Sequence, residues 1–137
     1  MLTFSKTERL CSHILIRDLL QNGNSFYLYP FKCIWMETKG LSGNLQIAFS
    51  VPKRKLKFAH QRNTVKRRLR NSYRLNKSLI LDILKDQKRS LACLLIYTES
   101  DILSYTVLDE KINLIIRRIQ EQLFVTLEHK SEETRYK

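Results

Sequence analysis

The chain has 137 residues, 43% of them hydrophobic, with only 3 Gly and 2 Pro. It can bury one core without disulfides or a structural metal, and it is neither a collagen-like repeat nor a low-complexity linker. Lys and Arg number 25 against 13 Asp and Glu, a formal charge of +12 that makes a polyanion the expected partner.

In chain order, Met1–Arg9 lacks the basic head and apolar stretch of a secretory signal. Ser12 reads as the N-cap and Gly23 as the C′ residue of a first helix whose stripe is Leu15, Ile16, Leu19 and Leu20. Phe26–Glu37 is aromatic and β-branched, interrupted at Pro30, and Phe31–Met36 predicts a strand. Gly40–Asn44 is a turn signal. Leu45–Val51 then alternates, with Leu45, Ile47, Phe49 and Val51 on one side, and is expected to pair with the preceding strand as a hairpin. Pro52 ends it, and a basic connection, Lys53–His60, leads to a helix expected over Asn63–Lys85. Leu91–Tyr97 is a near-continuous apolar run suited to a central strand. Ile112, Ile115, Ile116, Ile119 and Leu123 mark a final helix over Leu108–Leu127. Glu128–Lys137 is polar and expected to be a disordered tail after a single domain spanning 1–127. Helices and strands mix without regular βαβ alternation, so the class is α+β. No apolar run approaches the roughly 18–20 residues that span a bilayer, so a cytoplasmic protein without a membrane partner is expected.

The charge is local. From Thr38 through Leu81 there is no Asp or Glu, while Lys53, Arg54, Lys55, Lys57, Arg62, Lys66, Arg67, Arg68, Arg70, Arg74 and Lys77 lie within that stretch. At 100° per residue, Asn63, Lys66, Arg67, Arg70, Arg74 and Lys77 fall within an arc of about 100°, opposite Val65, Leu69, Tyr73, Ile80 and Ile83. A solvated helix face normally interleaves Lys with Glu, and here no acid balances the cations. Arg grips phosphate with a bidentate fork, Lys supplies a point charge, and Asn63 suits a base edge or a 2′-hydroxyl. Nucleic acid is favoured over a membrane surface because the apolar side of this helix reads as core. Phe26, Tyr27, Tyr29, Phe31 and Trp35 are either stacking platforms for unpaired bases or core; Phe31 and Trp35 share one side of their strand and therefore one fate.

Catalytic and metal residues are not assigned. Cys11, Cys33 and Cys93 have no metal-ligand spacing and read as thiols in a reducing compartment; His13, His60 and His129 fall in separate elements. Asp82, Asp86, Glu99, Asp101, Asp109 and Glu110 show no spacing suited to a two-metal nuclease, and there is no phosphate loop or nucleophile motif. The residues alone therefore describe a protein that binds RNA or DNA without cutting it.

Ser50-Val51-Pro52-Lys53-Arg54, followed by Ala59-His60-Gln61-Arg62-Asn63-Thr64-Val65-Lys66-Arg67-Arg68-Leu69-Arg70, resembles the signature of the bacterial ribonuclease P protein component. That family shows a strand ending in S-V-x-K-[KR] and then R-N-x-x-K-R-x-x-R opening a long helix. The resemblance covers about residues 4 to 125. It implies a small α/β sandwich, ribosomal protein S5 domain 2-like, with a central mixed four-stranded sheet, about three helices and a left-handed βαβ crossover. It also implies a protein subunit of ribonuclease P, an endoribonuclease whose catalytic RNA subunit removes the 5′ leader of precursor tRNA with Mg²⁺ held mainly by that RNA. No organic cofactor is implied, and the oligomeric state is left open. The implied contacts to catalytic RNA are Arg62, Asn63, Lys66, Arg67 and Arg70, with Lys53 nearby, and Arg54, Arg68 and Arg74 are further RNA-binding candidates; the implied contacts to the leader, in a cleft between the first helix and the sheet, are Ile16, Leu20, Phe31 and Trp35. Thr64 stands where the motif commonly has a basic residue, and Ile16 and Leu20 where cleft positions often carry aromatics. The alternative is a non-enzymatic RNA-binding protein, a ribosomal or RNA-chaperone-like module.

Overall fold

A computed structural model describes the backbone of residues 4, 6–39, 41 and 43–135, and the side chains among these up to residue 123. A 3₁₀ turn at Lys6–Glu8 precedes α1 (His13–Asn22), β1 (Asn24–Leu28), β2 (Phe31–Glu37) and β3 (Leu45–Ser50). Then come α2 (Ala59–Asn76), α3 (Ser78–Asp86), β4 (Leu91–Tyr97) and α4 (Tyr105–Arg135). The strands form one mixed sheet in the order β1-β2-β4-β3.

Helix α1 begins where the sequence places it: the Ser12 hydroxyl accepts from the Leu15 amide at 3.2 Å. Gly23 ends it for a different reason than expected. Its φ of −72° is ordinary extended backbone, so no left-handed cap forms. A Cβ there would instead meet the Leu19 carbonyl oxygen at 2.5 Å and Ile34 Cγ2 at 2.8 Å. Glycine is required by the close approach of α1 to β2.

The expected hairpin between the Phe31 and Leu45 strands does not form. β2 pairs antiparallel with β1 on one side, across a turn containing a cis Tyr29–Pro30 bond, and with β4 on the other. β3 runs parallel to β4, with Leu45 opposite Leu91 and Ser50 opposite Ile96. The cause is legible in β4: Leu91–Leu95 is buried throughout, and a strand apolar on both faces takes the centre of a sheet with helices over both. The crossover from β3 to β4 is α2 followed by α3.

The two faces carry separate cores. Phe26, Phe31, Cys33, Trp35, Leu45, Ile47, Leu91, Cys93, Leu95 and Tyr97 meet Val65, Leu69 and Tyr73 of α2, Ile80 and Leu84 of α3, and Leu108, Ile112, Ile115, Ile116, Ile119 and Leu123 of α4. Opposite them, Ile34, Ala92 and Leu94 pack against Leu10 and Leu19, with Leu15, Ile16, Met36, Ala48 and Ile96 at the margin. Three helices thus cover one face and α1 alone covers the other.

Helix boundaries differ from expectation: α2 begins at Ala59 rather than Asn63, and α4 at Tyr105 rather than Leu108. The single helix foreseen over Asn63–Lys85 is divided at Lys77 into α2 and α3, and at this junction the Lys77 ammonium meets Glu8 Oε1 at 2.5 Å. The final helix continues past Leu127 through Arg135, so most of the segment expected to fray is helical.

Candidate nucleic-acid interface

The basic surface is built from the end of β3 onward. Pro52 closes the strand, and its carbonyl accepts from the amides of Lys55 and Leu56 at 3.0 and 3.2 Å. Leu56 is buried, and the turn it anchors leaves Lys53 and Arg54 exposed. Arg62, in the first turn of α2, donates from Nη1 to the carbonyls of Leu56 and Lys57, both at 2.9 Å. The guanidinium has five N–H donors, so it holds the turn against the helix start while retaining donors for a phosphate.

Along α2 the helical period separates two surfaces. Val65, Leu69, Ser72 and Tyr73 are buried. Asn63, Arg67 and Arg70 are exposed, and Lys66 and Arg74 are half-buried beside them. Asp109 of α4 explains the polar positions on the inner side: its Oδ1 accepts from Ser72 Oγ at 2.6 Å and Asn76 Nδ2 at 2.9 Å. This docking fixes the helix with its cations outward. Lys66, Arg70 and Arg74 follow at i,i+4, where like charges cost an isolated helix about 0.2–0.5 kcal/mol per pair. The ion pairs Glu8–Lys77 and Glu37–Arg89 lie elsewhere. The packed inner face of α2 therefore sustains a concentration of positive charge on its outer one.

Two members of the expected basic set are placed differently. Arg68 donates from Nη1 to the Leu103 carbonyl at 2.7 Å, joining α2 to the segment before α4; at this helical angle it lies well away from Arg67 and Arg70. Lys77, assigned by periodicity to the basic arc, is buried against Glu8.

The cleft between α1 and the sheet requires a larger correction. Phe31 and Trp35 are 0% and 3% exposed and belong to the core beneath α4, where the Trp35 indole donates to Gln122 Oε1 at 2.6 Å. Strand alternation puts Lys32, Ile34 and Met36 on the α1 side instead. On that side the register aligns Tyr27 with Lys32, Lys32 with Ile96 and Ile96 with Ser50. Tyr27 and Lys32 are exposed, and Ile96 and Ser50 half-buried. Ile16 packs at the edge of the α1 contact, and Leu20 is exposed beside it. Sequence reasoning named Tyr27 among the possible stacking platforms but missed Lys32; the signal was the alternation of β2 opposite Phe31, Cys33 and Trp35.

The ribonuclease P family model matches residues 4–120. The chain belongs to the ribonuclease P protein family. It is 33% identical over 85 residues to the ribonuclease P protein component of Porphyromonas gingivalis strain ATCC 33277, covering 61% of this chain and 62% of that protein. The protein of the same name from strain W83 is 34% identical over 89 residues, again covering 62% of its length. The chain thus spans somewhat less than two thirds of these relatives. The Staphylococcus aureus RNase P protein shares the fold at a TM-score of 0.67 and 17% identity, covering 82% of this chain and 94% of that one. The Thermotoga maritima RNase P protein does so at 0.63 and 19%, covering 81% and 96%. The family match takes in the whole basic region and both faces of the sheet. Among the described residues no helix is long and apolar enough to cross a membrane.

Proposed function

We propose that the chain is the protein subunit of ribonuclease P, binding a catalytic RNA through the turn at Lys53 and the outer face of α2, and assisting Mg²⁺-dependent removal of the 5′ leader of precursor tRNA in the cytoplasm. The observation that carries this reading is the row of outward-facing cations, Lys66, Arg67 and Arg70, along α2 in a chain of this family. In this role Arg67, Arg70, Lys66 and Arg74 track phosphates, Asn63 supplies a neutral donor and acceptor, and Arg62 contributes its remaining donors while securing the turn. The leader runs over the open sheet face beside α1, on Tyr27, Lys32 and Ile96, with Ile16 and Leu20 along the helix.

Mg²⁺ and bond cleavage belong to the RNA in this reading. Among the described residues no three His, Cys, Asp or Glu side chains converge closely enough to hold a metal ion, so no step is assigned to a metal held by this chain.

The test is a cleavage assay at low Mg²⁺ with 5′-labelled precursor tRNA, using protein alone, a bacterial ribonuclease P catalytic RNA alone, and both together. Efficient release of the leader only from the combined reaction supports the proposal. Cleavage by protein alone overturns it in favour of a nuclease site in this chain. RNA binding without stimulation of cleavage overturns it in favour of a plain RNA-binding module.

A further inference from the structure

We infer that Phe58 and His60 form a stacking platform for an unpaired nucleobase at the entrance to the α2 basic face; the inference rests on that face being an RNA surface. Phe58 occupies the N-cap position of α2, where a short polar side chain would satisfy a free amide, and its ring provides no such cap. The ring is not recovered by the core either: it is 57% exposed. It stacks on the His60 ring with centroids 5.8 Å apart and planes inclined by 18°.

The platform is held from behind. The Phe58 carbonyl accepts from the amides of Gln61 and Arg62 at 3.1 and 3.3 Å. Its amide donates to Gln61 Oε1 at 3.4 Å, and Arg62 Nη1 grips the neighbouring Lys57 carbonyl at 2.9 Å. His60 is exposed and lies one helical turn before Asn63 and Thr64, and two before Arg67, on the same side of α2. Lys57 and Arg54, both exposed, precede it, and no acid occurs within twenty residues on either side of Phe58. A protein partner with an apolar pocket would have to desolvate these cations. A single-stranded nucleic acid pairs its phosphates with them and lays a base on the ring, the combination that sequence-tolerant single-strand binders use.

The test compares binding of the full chain to fluorescently labelled decauridine and to an abasic ribose-phosphate strand of equal length and charge. Phe58→Ala and Phe58→Leu are each expected to weaken decauridine binding roughly five- to tenfold, the lower part of the range for one base–aromatic stack, and to leave the abasic strand unaffected. Phe58→Trp is expected to retain or improve the decauridine affinity. Equal losses on both strands, or no loss on either, overturn the platform. A Phe58→Leu variant that binds decauridine like the native chain also overturns it, since apolar bulk without a ring then suffices. Arg67→Ala reports on the underlying reading separately: it should weaken both strands alike, and no effect on either removes the RNA surface on which the platform depends.

Discussion

At the scale of single residues, packing decides positions that residue type leaves open. Trp35 has the flat, amphipathic ring that suits base stacking, yet its strand position turns it under α4, where its N–H is satisfied by Gln122. Trp35→Ala is therefore expected to cost about 3–5 kcal/mol of folding stability, while a Trp35→Phe variant that still folds binds RNA normally; chemical denaturation and an RNA titration separate the two effects. Gly23 makes the complementary point. Its backbone is one any residue adopts, but a methyl group there collides with the Leu19 carbonyl and the Ile34 side chain. Since the first of these is backbone, Gly23→Ala should lower stability by about 1–3 kcal/mol, measured as a shift in the denaturation midpoint at constant slope.

At the scale of elements, the ends of α2 are secured by different means. Arg62 ties its start to the Pro52–Lys57 turn, and the Glu8–Lys77 pair ties its end to the N-terminal segment, with side chains 18% and 8% exposed. Breaking a buried pair leaves an uncompensated charge. Glu8→Ala is expected to destabilise by about 3 kcal/mol, and Glu8→Leu combined with Lys77→Met to recover most of the loss; a double variant no better than the single one would show that the pair is not what matters.

The same elements show what sequence can and cannot convey. Most of the α1 stripe (Leu15, Ile16 and Leu19, with Leu20 exposed), the alternation of β3, the apolar run of β4 and the isoleucine ladder of α4 were legible because each reports only which side faces the core. The hairpin expectation failed because partner choice depends on what the whole sheet must bury: the doubly apolar β4 inserts between β2 and β3. Lys77 was misassigned because its position on the α2 arc does not reveal that Glu8, sixty-nine residues earlier in sequence, closes over it. Phe31 and Trp35 were correctly given a common side, but which side meets α1 emerges only from the assembled layers.

At the scale of the whole molecule, the outward cations of α2 lie apart from the apolar core. Among the titratable groups whose ionisation the core resists are Cys33 and Tyr73. Cys33 has its thiol pushed up by the contact with Cys93, 3.7 Å away, and by burial. The Tyr73 hydroxyl is pushed up by burial and by the nearby charge of Glu8. Both remain protonated in the folded chain above their ordinary values of 9.0 and 10.0, whereas the unfolded chain ionises there. Their contribution to stability is thus fully present below about pH 9 and is lost progressively as pH rises beyond it. Denaturation midpoints recorded from pH 7 to 10.5 should decline above pH 9, and Cys33→Ala with Tyr73→Phe should flatten that decline.

The central claim is that the outer face of α2 is an RNA surface that works by neutralising phosphates, and the dependence of binding on salt tests it most directly. With a bacterial ribonuclease P catalytic RNA, the logarithm of affinity should fall linearly with the logarithm of salt concentration. Arg67→Ala and Arg70→Ala should each reduce the slope by about 0.7–0.9, the contribution of one phosphate contact. A slope unchanged in both variants would contradict the account.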